Sequence, residues 1–134
     1  MNAIQILLVE DNPGDVRLST EAFKDSNLPH DLHIVPDGVE AIGFVRQTPA
    51  YSQAPRPDII ILDLNLPRKN GLEVLEEIRS DQELKDIPII ILTSSHNDLD
   101  VLIAYKKQAN AYLVKPSDLS QYDEVINAVV ALCQ

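Results

Sequence analysis

The feature that most constrains this chain is Ile59-Ile60-Ile61-Leu62, which runs straight into Asp63. Four consecutive large apolar residues, three of them β-branched, suit a short strand covered on both faces, the habit of a central strand in a parallel sheet. Asn70-Gly71 then ends a loop, and Leu72, Leu75 and Ile78 begin a helical apolar stripe. A strand that hands one carboxylate to the strand-to-helix loop sets it at the carboxyl edge of the sheet, where open α/β folds bind ligands. Taken alone, Asp63 could equally well cap a turn.

The rest of the chain repeats the pattern. Ile4, Ile6, Leu7, Leu8 and Val9 predict a strand that ends on Glu10-Asp11. Asn12-Pro13 follows with the chemistry of a helix start, Asn as N-cap and Pro at the first helical position. Val16, Ala22 and Phe23 mark part of that helix's inner side. Residues 32–35 predict a second strand. Asp37 with Glu40 three positions on predicts a capping box ahead of a helix through Ala41, Ile42, Phe44 and Val45. Residues 48–57 carry three prolines and read as a loop inserted into the scaffold.

After the central strand and its helix comes a second wholly apolar strand, Ile89-Ile90-Ile91-Leu92, ending on Thr93-Ser94-Ser95. Asn97 and Asp100 are expected to open a fourth helix. Residues 111–114 form the last strand, ending on Lys115-Pro116. Ser117 is expected to cap a final helix with the stripe Tyr122, Val125, Ile126, Val129, Val130 and Cys133. Five strands alternating with five helices are the sign of βα units around a parallel sheet. A single domain spanning 1–134, without an output domain, is the expectation from that pattern.

Composition narrows the functions. The 21 acidic residues against 11 basic ones give a net charge of −10. That argues against nucleic acid or an anionic membrane as principal partner and suits a metal cation or a basic protein surface. No apolar run is long enough to span a bilayer, the N-terminus lacks the pattern of a signal peptide, and a cytoplasmic protein is expected. Cys133 is the one cysteine, which excludes an internal disulfide and a cysteine metal cluster within one chain.

In a parallel sheet every strand points its carboxyl end the same way. Glu10-Asp11, Asp63, Thr93-Ser94 and Lys115 therefore converge on one rim. Carboxylates so crowded repel one another unless a cation sits between them, and hard oxygen ligands with room for water suit Mg²⁺. A carboxylate beside such a cation and facing an ammonium is what in-line phosphoryl transfer needs.

These residues, in this order, resemble the response regulator receiver domain. The resemblance rests on Glu10-Asp11, on Asp63 in Asp-Leu-Asn-Leu-Pro with Gly71 following, on Thr93, and on Lys115-Pro116; Asp63 lies 30 positions before Thr93 and 52 before Lys115. It implies a flavodoxin-like (βα)5 fold, doubly wound, with strand order 2-1-3-4-5. It implies Asp63 as phosphoacceptor, taking its phosphoryl group from a sensor histidine kinase, with turnover limited to the protein's own aspartyl phosphate. Glu10, Asp11, Asp63 and the backbone carbonyl of Asn65 would hold Mg²⁺ or Mn²⁺. Thr93 and Lys115 would bind phosphoryl oxygens, Tyr112 would follow Thr93 as a switch, and the Lys115–Pro116 peptide would be cis.

Within the family, Asp-Asn-Pro-Gly-Asp-Val-Arg-Leu, the proline-rich insertion and Asp-Leu-Asn-Leu-Pro-Arg-Lys-Asn-Gly most resemble the small regulators paired with bacterial phytochrome kinases. Gln108-Ala109-Asn110-Ala111 departs from the Gly-Ala of many relatives, so Gln108 or Asn110 is expected in the left-handed conformation. Val101, Leu102, Ile103, Ala104 and Tyr105 cannot all face one side of a helix. Val101, Leu102, Tyr105 and Tyr122 are expected to form a homodimer or partner face across the fourth helix, fifth strand and fifth helix. Through it the signal would reach a downstream protein.

Other readings stay open on the residues alone. A flavin-binding electron carrier would need a hydroxyl- and glycine-rich phosphate loop where this chain has Glu10-Asp11-Asn12-Pro13. A phosphatase with an aspartyl nucleophile would want an acid at position 65, where Asn stands. A receiver fold that only binds partners, or one that passes its phosphoryl group onward in a relay, would carry much the same residues.

Overall fold

The computed structural model describes residues 3–94 and 98–133, with the side chain of Asp100 left out. Five strands form one parallel sheet: β1 (Ile4–Val9), β2 (His30–Val35), β3 (Ile59–Leu62), β4 (Ile89–Thr93) and β5 (Ala111–Val114). Their order across the sheet is β2-β1-β3-β4-β5. Five helices alternate with them: α1 (Pro13–Asp25), α2 (Gly38–Arg46), α3 (Gly71–Arg79), α4 (Asp98–Lys106) and α5 (Asp123–Leu132). The parallel sheet expected from the alternation and the doubly wound strand order implied by the resemblance are the ones observed.

The strand period of two sorts the core. Ile6, Leu8, Ile59, Ile61, Ile90 and Leu92 face one layer, where Ala22 and Phe23 of α1 meet Val125 and Val129 of α5. Leu7, Val9, Ile60, Leu62, Ile89 and Ile91 face the other, against α2, α3 and Ala104 of α4. All four residues of β3 are fully buried, which is why its apolar run does not alternate with polar residues. β2 begins two residues before the expected 32–35, because the backbone pairing Ile4↔His30 and Gln5↔Asp31 continues past the apolar stretch.

Helix ends follow the cap residues closely. Asn12 accepts a hydrogen bond from the Asp15 N–H, with Pro13 opening α1. Asp37 caps α2 through the Glu40 N–H, but Glu40 does not complete the box and instead accepts from the Tyr51 hydroxyl. The complete capping box is on α3, between Asn70 and Glu73. Ser117 does not cap α5, because a 3₁₀ turn at Ser120–Tyr122 intervenes; Asp118 accepts from the Gln121 N–H there, while Ser117 bonds to Gln121 Oε1. Asn97 and the side chain of Asp100, expected to open the fourth helix, lie outside the described residues.

The loop at 48–57 contains a 3₁₀ turn, Pro49–Tyr51, and is tied down by Tyr51, whose ring packs on Phe44. Gln108 adopts the left-handed conformation at φ 69°, and Asn110 is held instead by its Oδ1, which accepts from the Ile89 N–H and from Arg79.

Tyr122 corrects the expected partner face. Its stripe position turns it inward: it is 1% exposed, packs edge-on against Phe23 and donates to Ser19 Oγ at 2.6 Å. A tyrosine held between α1 and α5 presents nothing to a partner. Leu99, Leu102 and Tyr105 of α4 are exposed, Val101 is half-buried and Ala104 is fully buried.

Gly71 lies where the chain passes closest to the carboxyl end of β3. Its N–H donates to the Leu64 carbonyl, and a Cβ there would stand 2.2 Å from the Asp63 carbonyl oxygen. Gly71→Ala is expected to destabilise the fold by about 1–3 kcal/mol through this overlap with backbone. The urea midpoint should fall at unchanged slope; an unshifted midpoint would mean the loop yields without cost.

Candidate functional site

The carboxyl edge gathers its charged groups from three strand ends and one helix. Glu10 follows β1, its N–H donating to the Val35 carbonyl, and its side chain is buried. Glu10 Oε2 accepts from the N–H groups of Asp11 and Asn12 at 3.1 and 3.2 Å, which holds the carboxylate against its own loop. Asp63 is also buried; its N–H donates to the Val9 carbonyl, and its Oδ1 accepts from the Asn65 N–H at 3.0 Å. Asp11 is exposed at the mouth of the site.

Lys115 arrives from the end of β5. Its ammonium lies 2.7 Å from Glu10 Oε1, 2.9 Å from Asp63 Oδ2 and 2.9 Å from Asp15 Oδ2. Its backbone N–H donates to the carbonyl of Thr93, which ties the ends of β4 and β5 together. No cis peptide bond occurs among the described residues, so Lys115–Pro116 is trans, contrary to expectation. Burial works against the Lys115 charge, but the hydrogen bonds to Glu10, Asp15 and Asp63 outweigh it and hold its pKa above the ordinary 10.5. The Glu10 pKa is raised as well: burial raises it, the Lys115 hydrogen bond partly offsets this, and the Asp63 charge adds to it.

Glu10, Asp11 and Asp63 each offer a carboxylate oxygen, and these oxygens lie within 4.8 Å of one another. Three hard, anionic donors at that spacing fit a divalent cation of the Mg²⁺ or Mn²⁺ type. Asn65 is exposed beside them, and an open recess next to Asp11 is lined by Asn65, Pro67, Asn70 and Leu72. The loop carrying Asn65 is held from outside the site. Arg68, in the left-handed conformation at φ 66°, reaches Asp37 Oδ2 at 3.2 Å, and Lys69 pairs with Glu77.

Thr93 ends β4 fully buried and stands in register with Val114. Tyr112 is half-buried, in register with Ile91, and packs against the core layer on the α2–α3–α4 side. The predicted acids and lysine thus share one cluster, with Thr93 at the adjoining strand end. The place of Asp15 in that cluster, and the brace that Arg68 gives the Asn65 loop, were not anticipated. Asp15 is visible in sequence only as an acid in the first turn of a helix, the ordinary preference for that position. Arg68 is one more surface cation until the fold brings α2 alongside.

Residues 6–127 match the response regulator receiver domain family. The response regulator Rcp1 of Synechocystis sp. is 44% identical over 124 residues, which are 92% of this chain and 84% of that protein. The structure of Rcp1 in its Mn²⁺-bound form superposes with a TM-score of 0.86 at 43% identity, covering 96% of this chain and 92% of that one. The phosphorylated cyanobacterial phytochrome response regulator RcpA superposes with a TM-score of 0.87 at 45% identity, covering 95% and 91%.

Glu10 gives the site a pH signature. Because the fold raises its pKa above the ordinary 4.5, the folded state binds its proton more tightly than the unfolded chain. The cation-free fold therefore loses Glu10's contribution as pH rises from there through the raised value. Glu10→Gln removes that dependence. In chelator, the stability difference between Glu10→Gln and wild type should move in favour of the variant between pH 4 and pH 7, measured by urea titration. A difference that is flat across this range would show that Lys115 neutralises Glu10 completely.

Proposed function

The chain belongs to the response regulator receiver domain family, and from that premise we propose that it is a phosphorylation-controlled switch whose acceptor is Asp63. The observation that carries this reading is a buried carboxylate facing an ammonium at 2.9 Å, beside two further acids spaced for a cation. The donor is a phosphohistidine on a sensor histidine kinase. A carboxylate oxygen of Asp63 forms a bond to phosphorus as the phosphorus–nitrogen bond breaks, and the imidazole leaves with that electron pair and takes a proton from solvent.

Glu10, Asp11, Asp63 and the backbone carbonyl of Asn65 would hold Mg²⁺ or Mn²⁺, which when bound neutralises charge on the transferring oxygens. Lys115 orients a second phosphoryl oxygen and Thr93 donates its hydroxyl to a third. Tyr112 follows Thr93 as the switch. The protein turns over no free substrate beyond its own aspartyl phosphate, acts in the cytoplasm as a single receiver domain over 1–134, and engages neither nucleic acid nor membrane. The described residues include no helix long and apolar enough to cross a bilayer. Likeness to the phytochrome response regulator RcpA, together with the Rcp1 match, supports a phytochrome as the sensor kinase.

The outlet is the α4–β5 surface, with a second copy of the chain or a downstream protein seated against it. Support comes from the exposure of Leu102 (64%), Tyr105 (52%) and Val114 (46%), adjoined by half-buried Val101.

Two experiments follow. Intact mass after incubation with acetyl phosphate and Mg²⁺ should show one added phosphoryl group on wild type and none on Asp63→Asn. An adduct on both would name a different acceptor. No adduct on a folded, cation-binding wild type, with no response to beryllofluoride, would leave a receiver fold kept for binding alone. For the outlet, light scattering over a concentration series with beryllofluoride should show self-association of wild type and its loss in Tyr105→Asp. Monomers throughout would remove the homodimer.

A further inference from the structure

An ammonium has three N–H donors, and those of Lys115 meet three different carboxylates, Glu10, Asp15 and Asp63. Glu10 and Asp63 belong to the triad spaced for a cation, whereas Asp15 does not. Asp15 comes instead from the first turn of α1, 100 positions from Lys115 in sequence. That turn is itself fixed, because the Asp15 N–H donates to Asn12 Oδ1 at 3.0 Å. The Asn12 cap thus sets the place from which the Asp15 carboxylate reaches across the edge of the sheet.

The partners of Lys115 do not keep equal strength as the site is used. Glu10 and Asp63, the carboxylates that accept from the ammonium, would also be drawn on by a bound cation. Phosphorylation then converts Asp63 from an anion into an acyl phosphate, a mixed anhydride whose carboxyl oxygens are weaker acceptors than those of a carboxylate. Asp15 alone remains a full carboxylate outside both events. We propose that Asp15 is a positioning residue for phosphoryl transfer, anchoring the Lys115 ammonium from the α1 side so that it stays over Asp63 while its other two partners are engaged. Without that anchor the ammonium, on a stem with four rotatable bonds, can swing toward solvent and must be recovered in each transfer. This inference rests on Asp63 being the acceptor.

The test uses the full chain, with acetyl phosphate and Mg²⁺, and compares initial rates of phosphorylation by intact mass. Variants are checked for folding by their urea midpoints. Asp15→Asn keeps the volume and removes the charge; it should slow phosphorylation about fivefold, whereas Asp15→Glu, which restores the charge, should recover most of the rate. In a Lys115→Ala background, followed over hours, Asp15→Asn should cost nothing further, because its effect passes through the ammonium. A second readout is the ammonium itself: the Lys115 ¹⁵Nζ–H correlation should be observable in wild type and lost in Asp15→Asn.

The proposal is overturned by an equal loss with and without Lys115, which would mean that Asp15 acts by its own charge. It is overturned equally by an unchanged or faster Asp15→Asn, or by a Lys115 correlation that survives the substitution. Failure of the underlying reading has a different appearance: wild type takes no phosphoryl group at all, or takes it equally in Asp63→Asn.

Discussion

The carboxyl edge of this molecule depends on one ammonium held among acids. Lys115 stands within 3 Å of Glu10, Asp15 and Asp63, and Asp11 adds a fourth carboxylate at the mouth. One positive charge cannot balance four negative ones, and burial of Glu10 and Asp63 sharpens the imbalance because partly desolvated charges interact more strongly. Burial raises the pKa of Glu10 and the Asp63 charge adds to it, while hydrogen bonds to Glu10, Asp15 and Asp63 raise that of Lys115 against its own burial. A fold that tolerates this arrangement trades stability for a site that attracts cations, and attraction for a divalent ion is the least demanding way to relieve it. Maximum stability and the function proposed here therefore pull in opposite directions at these residues.

What allows the arrangement is the rigidity behind it. β3 and β4 are buried along their whole length, with β1 buried from Ile6 onward, so the ends of these strands have little freedom to spread apart under repulsion. The loop after Asp63 is braced as well. Gly71 allows the start of α3 to lie against the Asp63 backbone, Gly38 allows α2 to approach the Lys69 carbonyl, and Arg68 clasps Asp37. Tyr51 extends the brace to the 48–57 loop by donating to Glu40, whose other oxygen lies 3.7 Å from Arg68. The inserted loop, which reads in sequence as an appendage, is therefore mechanically connected to the segment that carries Asn65.

How much of this was legible in sequence follows from the physics of each element. The alternation of apolar runs with helical stripes is a one-dimensional record of burial, so strand positions could be read directly, apart from the first two residues of β2. The acids and the lysine fall at strand ends, and in a parallel sheet strand ends share an edge, so their convergence could be inferred without coordinates. Asp15 and Arg68 resisted because their partners are distant in sequence and each sits where its residue type is unremarkable. Tyr122 was misplaced because a tyrosine in an amphipathic stripe can point its hydroxyl outward or find a buried acceptor, and only the fold supplies Ser19. Ser117 was misread because the intervening 3₁₀ turn postpones the helix, a choice made by Asp118 and Gln121 together.

Unevenness of packing bears on where a change at Asp63 can be expressed. Around the site, β1, β3 and β4 are locked on both faces, whereas β5 is only half-buried along Ala111, Tyr112 and Leu113 and exposed at Val114. α4 presses on the sheet through Ala104, with Leu99, Leu102 and Tyr105 turned outward. Low-density regions are where a protein moves at least cost, and here the region joins the site directly, since the Lys115 N–H is bonded to the Thr93 carbonyl. Any rearrangement that shifts Thr93 or redirects Lys115 therefore reaches β5 and α4 first, because β3 and β1 on the other side of β4 are buried. The direction of the proposed signal flow is in this sense a property of the core: β1, β3 and β4 are packed too tightly to respond, and the loosely packed strand that ends on Lys115 is β5.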